Sequence, residues 1–389
     1  MTRSASDTDG RLIQAGHSAA LLSEGADLRR LPRAPQKPRP TTFLDRYEDR
    51  ALVYDAFWHA DGQRILLVGP PPMNLRPHYR TARYRAGGTD LQARYFPSLS
   101  TMITELSGAA PATREIAMEL AGQSFVLPVR VNHAANFAGR RLLFTMSKDN
   151  DLAWITEWAR WHHKMHGADA IVFFDNGSTR YETQAIEETL LGVDGIERVA
   201  VESWPWRYGM TDAALLANPF YILFLQVSSM SVVLRRFGSA AYGILNADID
   251  ELVATPAGTT IFELAKQAPK GLVVMRGHYM EPLADGTGPH THRDYTRMFA
   301  DPKRAASRQK KWAIDPSRQW FEDLRVQPYM HWIEHRPWFG KSTPDGVFYR
   351  HFRGINTNWK DNRTDASAIR GDELVIDAGF ADLVAANAF

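Results

Sequence analysis

A chain of 389 residues is long for one domain and comfortable for two. Hydrophobic residues make up 44% and charged ones 23%, the balance of a globular protein, and a net charge of +2 excludes a general field for polyanions, so nucleic acid is not an expected partner. The absence of cysteine removes disulfides, thiolate zinc sites and cysteine nucleophiles together.

The opening MTRSASDTDGRLIQAGHS has no apolar core of signal-peptide length, and a cysteine-free chain suits a reducing compartment, so a cytoplasmic setting is expected. Residues 1–45 are rich in Ser, Arg and Pro, with LPRAPQKPRP as the clearest tract, and are expected to form a flexible leader. From Leu52 the pattern changes. LVYDAFW, RILLVG and SFVLPVRV are short, rich in aromatic and β-branched residues and bounded by turn chemistry, so 46–138 reads as a smaller β-rich domain. His78 and His133 have no partner at metal spacing and read as structural.

Over 139–389 strands and helices alternate. Arg141–Met146 is an expected strand; Asp151 can cap a helix over Leu152–His166, which Gly167 ends. Ala170–Phe174 is a buried strand stopped by Asp175-Asn176-Gly177-Ser178-Thr179. A helix over Thr183–Leu191, a strand over Glu197–Glu202, a helix over 211–236 and a strand over Tyr242–Leu245 follow. The apolar run inside 219–234 is interrupted by Gln226 and three serines, short of the ~20 apolar residues a spanning helix needs. This alternation predicts an α/β fold with a mostly parallel sheet and helices on both faces. Later, GLVVMR reads as a strand, 281–310 as loop-like and basic, and LRVQPYMHWIEH and Val347–Arg353 as strand-like.

The chemistry centres on Asn246-Ala247-Asp248-Ile249-Asp250-Glu251. If the strand continues, Asp248 and Asp250 share one side while Ile249 points inward. Two carboxylates at a strand end suit a hard divalent cation, and ligands of open α/β sheets sit beyond the carboxyl ends of the strands. The Asp175–Thr179 turn offers backbone N–H groups and hydroxyls to an anion. Such a set suits breaking a bond between a sugar and a nucleoside diphosphate.

The ordered series Lys148-Asp149-Asn150, Glu157-Trp158, Trp161-His162, Gly167, Phe174–Thr179 and Asn246–Glu251 resembles the glycosyltransferases of the A-type (GT-A, Rossmann-like) fold, in the branch related to families 2 and 92. Further points of similarity are Lys311 before a Pro turn, His331, and Tyr349–Arg353. Asp149-Asn150 departs from the usual Asn-Glu, and Arg180 from the usual Asp. The resemblance implies an inverting transfer of a sugar from a nucleotide-sugar donor to a glycan or lipid-linked acceptor in polysaccharide assembly, with peripheral association at the inner face of a membrane compatible with that acceptor. It implies a donor site built from Lys148, Asp149, Asp175, Asn176, Ser178, Asp248 and Lys311. It also implies Mn2+ or Mg2+ held by Asp248 and Asp250 with a C-terminal histidine, His351 ahead of His331. Glu281, Asp294, Asp315 and Glu334 are the pool for a general base, with Glu281 favoured. Trp204 and Trp206 stand either as sugar-stacking rings or as buried loop anchors. The rival readings are a sugar nucleotidyltransferase, for which no Gly-rich phosphate loop is present, and a carbohydrate-binding or assembly protein with a non-catalytic transferase-like domain.

Overall fold

The computed structural model describes residues 10–111, 113–210, 212, 214, 222–335, 343–357, 364, 367 and 369–386. Along Glu115–Leu120 exposed and buried residues alternate, as in a strand with one wet face. It pairs antiparallel with Gln123–Pro128 and Arg83–Ala86 in a four-stranded sheet. A second antiparallel sheet holds Asp55–Trp58, Ile65–Gly69, Met102–Ser107 and Gln92–Pro97, in that spatial order. Leu67, Tyr84, Met118 and Leu127 belong to the core the two sheets share.

The segment expected as a leader is laid against both halves of the molecule. Leu12 bridges to Val199, and Ala20–Leu21 pairs with Ala51–Val53. Arg30 is buried and donates from Nε to the Pro71 carbonyl at 2.9 Å. The short helix Thr41–Arg46 follows.

The large sheet contains β1 (Arg141–Ser147), β2 (Ala170–Asp175), β3 (Arg198–Ser203), β4 (Gly243–Asn246), β5 (Glu251–Ala254), β6 (Leu272–Met280), β7 (Ala306–Ile314) and β8 (Phe348–Phe352). Its spatial order is β3-β2-β1-β4-β7-β6-β8-β5. The first four are parallel. Beyond them β7 is antiparallel to β4 and β6, β8 is parallel to β6, and β5 is antiparallel to β8. The sheet is therefore mixed, which corrects the expectation of a mostly parallel one. Parallel pairing needs a long crossover between strands. The chain supplies these up to β4, but the link from β4 to β5 is a tight turn.

That tight turn also bends the sheet. β4 and β5 stand four strand spacings apart, about 19 Å if flat. Five peptide steps reach at most about 18 Å when fully extended, and here they fold back in a turn. The sheet curls, and this brings β7 and β8 around the β4–β5 turn.

Alternate residues of the parallel strands feed two cores. Leu143, Ile171 and Phe173 meet α1 (Leu152–His166), α2 (Thr183–Leu191) and α4 (Ile261–Gln267) through Trp158, Trp161, Ile186 and Phe262. Leu142, Phe144 and Val172 meet α3 (Phe224–Val232) and Phe57, Leu66 and Val68 of the N-terminal sheet. In α1 the Asp151 carboxylate accepts from Ala153 N at 2.9 Å, and Gly167 ends the helix at φ 66°. Within the expected helix 211–236, the described part is helical over Phe224–Val232 and continues as a π turn to Phe237. Residues 211, 213 and 215–221 lie outside the described residues. The basic end of the stretch expected as loop is strand β7, in the middle of the sheet. Its lysine charge misleads a reading by polarity, because Lys311 is buried against carboxylates while Trp312, Ala313 and Ile314 fill the core.

Candidate active site

Strand β4 stops at Asn246, and residues 247–250 form a turn closed by Glu251 N donating to the Asp248 carbonyl at 3.0 Å. Asp248 and Asp250 are thus not set side by side by strand alternation, as the sequence suggested. The turn gathers them instead, with Glu251, so that one carboxylate oxygen from each lies within 4.8 Å of the others. Glu251 Oε2 accepts from Asp248 N at 2.8 Å, tying the turn to the first residue of β5.

The turn is held from behind by groups outside it. His292 Nε2 donates to the Ile249 carbonyl at 2.8 Å, and Phe352 N to the Asp250 carbonyl at 2.8 Å. Glu157, on α1, accepts from His292 N at 3.0 Å and from Arg293 Nε at 2.6 Å. Burial raises the Glu157 carboxyl, but His292 and Arg293 outweigh it and the net shift is downward. One residue past Leu252, the Val253 carbonyl accepts from Trp161 Nε1 at 2.7 Å and lies 3.0 Å from His166 Nε2. Burial lowers His162 to about 3 and His166 to about 4, so both rings stay neutral under the acidic turn.

Curling delivers the partners of the acids. Lys311 Nζ on β7 lies 2.7 Å from Asp248 Oδ2 and 2.9 Å from Glu251 Oε2. His351 on β8, opposite Glu251 in the register, puts Nε2 3.1 Å from Asp250 Oδ2 and Nδ1 3.9 Å from Glu251 Oε1. Burial pushes Glu251 up to about 7, with Lys311 pulling the other way.

Asp248, Asp250, Lys311 and His351 line an open cleft of about 210 Å3, while Glu251 is fully buried and does not line it. The cleft lies at the carboxyl ends of β1, β2 and β4, where Lys148, Asn176 and Asp248 line it. Lys311 and His351 face it from β7 and β8, and His331 lines it too. His331 Nδ1 donates to the Lys310 carbonyl at 3.1 Å, and burial lowers the ring to about 4. His331 is not in the acidic cluster.

Other expected donor residues play local parts. Asn176 donates to the Trp204 and Trp206 carbonyls at 2.7 and 2.9 Å. Asp175 is buried and accepts from Ser178 Oγ at 2.5 Å; burial raises its carboxyl against those hydrogen bonds. Asp149, at φ 54°, accepts from Thr179 N at 2.6 Å and Arg180 N at 3.0 Å, while its own N–H donates to Ser178 Oγ. Asp149, Asp175 and Ser178 thereby knit the β1 and β2 loops together, and none lines the cleft.

Glu281 lies just past β6, fully buried, with Arg353 Nη1 at 3.1 Å from Oε2. Burial raises its carboxyl, opposed by Arg353. It does not line the cleft; the acids that do, among the described residues, are Asp248 and Asp250. Asp294 caps Thr291, Asp315 pairs with Lys266, and Glu334 accepts from Leu99 N. Trp204 is fully buried against Tyr54, Phe174 and Trp206, so it is a loop anchor and not a stacking surface.

Sequence reasoning missed three contributors. Arg46, at the end of the short helix Thr41–Arg46 and the first residue of the stretch read as β-rich, reaches the cleft, and Tyr208 and Gln226 reach it together, with Tyr208 Oη donating to Gln226 Oε1 at 2.5 Å. An arginine and a glutamine of this kind leave no local signal; only the chain path places them.

No known protein-family profile matches the chain, and no curated protein matches it. Among solved structures, a crystal structure of S. aureus TarS 1–349 overlaps 55% of this chain and 60% of its own at 10% identity and a TM-score of 0.33. The apo structure of WbbM, described as a bifunctional glycosyltransferase, overlaps 41% of this chain and 27% of its own at 12% identity and a TM-score of 0.23. In both cases the overlap spans less than two thirds of the other chain. Among the described residues no helix is long and apolar enough to cross a membrane.

Proposed function

We propose that the chain is a glycosyltransferase that takes a sugar from a nucleotide donor and passes it to a glycan or lipid-linked acceptor. The observation that carries this reading is the meeting of Asp248, Asp250, Lys311 and His351 at a cleft beyond the carboxyl ends of β1, β2 and β4. Open α/β sheets bind nucleotides at that edge. The ordered motifs from Lys148 to Glu251 support the same reading.

The donor set fits a divalent ion. Three carboxylates offer oxygens within 4.8 Å of one another, and His351 adds one imidazole nitrogen beside Asp250. Mn2+ or Mg2+ would be held by Asp248 and Asp250, with Glu251 or His351 completing the set. Bound there, the ion would supply positive charge to the diphosphate leaving group. Lys148 and Lys311 would bind phosphate oxygens, and Arg46, which also lines the cleft, would add charge. Asn176 would present a polar edge to the nucleoside, held in place by its bonds to the Trp204–Trp206 loop. Asp149, Asp175 and Ser178 would shape that wall by locking the two loops. Glu281 would serve as base only if Arg353 moved away from it.

The test is donor turnover. Wild type is incubated with UDP-, GDP- and CMP-activated sugars, Mn2+ and a mixture of glycan acceptors, and released nucleotide is measured. Release from one donor class, lost in Asp248→Ala/Asp250→Ala, is the expected result. No release from any donor, with no nucleotide bound either, contradicts the reading.

A further inference from the structure

Lys311 already occupies the position of a cation between the carboxylates. Its ammonium bridges Asp248 Oδ2 and Glu251 Oε2 at 2.7 and 2.9 Å, and the side chain is 3% exposed. It is not a surface lysine that has found an acid. Strand β7 is fixed on both sides, Leu245 opposite Ala313 and Met275 opposite Lys311, so sheet register sets where Nζ stands. Glu251 is fully buried, and its Oε1 has no hydrogen-bond partner among the described residues. Asp250 is engaged differently, by His351.

We infer that Lys311 is an internal counter-ion which a divalent metal must displace from Asp248, and which the diphosphate then takes over. The inference rests on the nucleotide-donor reading above. A metal ligated by Asp248 Oδ2 would stand within about 4 Å of an ammonium on the same oxygen, a strongly repulsive distance in a partly buried site. The metal alone must therefore move Lys311 off Asp248, leaving an ammonium without its second partner. A diphosphate arriving with the metal supplies that partner. Metal and nucleotide then help each other to bind, and each changes the other's affinity by the same factor. The device makes the empty site reluctant to hold metal and the donor-loaded site strong.

The experiment is a Mn2+ titration of the full chain, with free Mn2+ read by electron paramagnetic resonance, for wild type and Lys311→Met, without nucleotide and with saturating UDP or GDP. Lys311→Met is expected to bind Mn2+ alone at least tenfold more tightly, because two of the three carboxylates, Asp248 and Glu251, lose their competing ammonium. Its affinity for nucleotide in saturating Mn2+ is expected to fall at least tenfold, and the mutual enhancement to shrink towards one. Unchanged or weaker binding of Mn2+ alone by a folded Lys311→Met overturns the inference. If that variant does not fold, Lys311→Met/Glu251→Gln compared with Glu251→Gln carries the same expectation and the same refutation. If no protein in the series binds Mn2+, the metal reading fails and the inference with it. If wild type binds Mn2+ but neither UDP nor GDP, the diphosphate-donor reading fails, and the handover to diphosphate fails with it.

Discussion

His292 Nε2 stands 2.8 Å from the carbonyl of Ile249, the residue between the two aspartates of the acidic turn. The carbonyl can only accept, so the ring must donate there. Ile249 is itself buried, and its carbonyl is paired with this ring. Glu157 secures the other side of His292, so helix α1 and the 292–294 segment clamp the turn from two directions. Replacing His292 by Leu is expected to cost about 1–3 kcal/mol by leaving that carbonyl unpaired. It is also expected to weaken Mn2+ binding, and His292→Gln, which can still donate, should recover part of both. Urea unfolding and metal titration of the two variants check this.

The N-terminal sheet is joined to the π turn that follows α3 by a buried charge pair. Arg236 Nη1 lies 2.9 Å from Asp55 Oδ2, and both side chains are fully buried. Arg236 also donates to the Ala15, Gly16 and Val131 carbonyls, so one guanidinium ties three parts of the chain. Asp55→Ala is expected to destabilise the protein by about 3–5 kcal/mol, because it strands a buried cation. A shift in the urea midpoint measures it, and a change below about 1 kcal/mol would mean that water enters this interface.

Glu202 gives a pH signature away from the cleft. Burial raises it to about 7, against the pull of Arg236 and Arg130, with Asp55 pushing the same way as burial. Its folded value is above the unfolded one, so the folded state keeps the proton longer. The stabilisation is full below about pH 4.5 and is lost as pH rises towards about 7. Its full size is on the order of 3 kcal/mol. Glu202→Gln should flatten that part of the stability–pH curve, measured by urea unfolding at pH 4.5, 6 and 7.5.

Gly277 on β6 is where the ring of Tyr349 crosses the neighbouring strand. A Cβ there would lie 2.3 Å from Tyr349 Cζ, which is not a distance atoms can share. Gly277→Ala is expected to cost about 1–3 kcal/mol through overpacking. Because Tyr349 is two residues from His351, it should also weaken metal binding. Tyr349→Leu in the same chain should relieve part of both effects.

Much of the parallel half was legible because its signals are local. Asp151 and Gly167 mark both ends of α1, and apolar runs bounded by turns mark β1, β2 and β4. The acidic turn was legible as composition, but its geometry was not, since the strand ends before the aspartates and a turn does the gathering. The mixed half was hidden for a physical reason. Strand β7 carries Gln309, Lys310 and Lys311, and polarity reads as loop until the carboxylates that neutralise Lys311 are known. Arg46 could not be placed at the cleft because nothing in its neighbours encodes where residues 10–50 run. Glu157 and His292 are 135 residues apart, and their pairing follows from the curl of the sheet and not from any local pattern.

The most direct test of the cleft is calorimetric titration of the full chain with UDP, GDP and CMP, with and without Mn2+, alongside Asp248→Ala/Asp250→Ala. The expected result is binding of one nucleotide that is strengthened at least tenfold by Mn2+ in wild type and is not strengthened in the double variant. Absence of nucleotide binding under every metal condition, or equal binding by wild type and the folded double variant, would contradict the assignment of the acidic turn to a donor diphosphate.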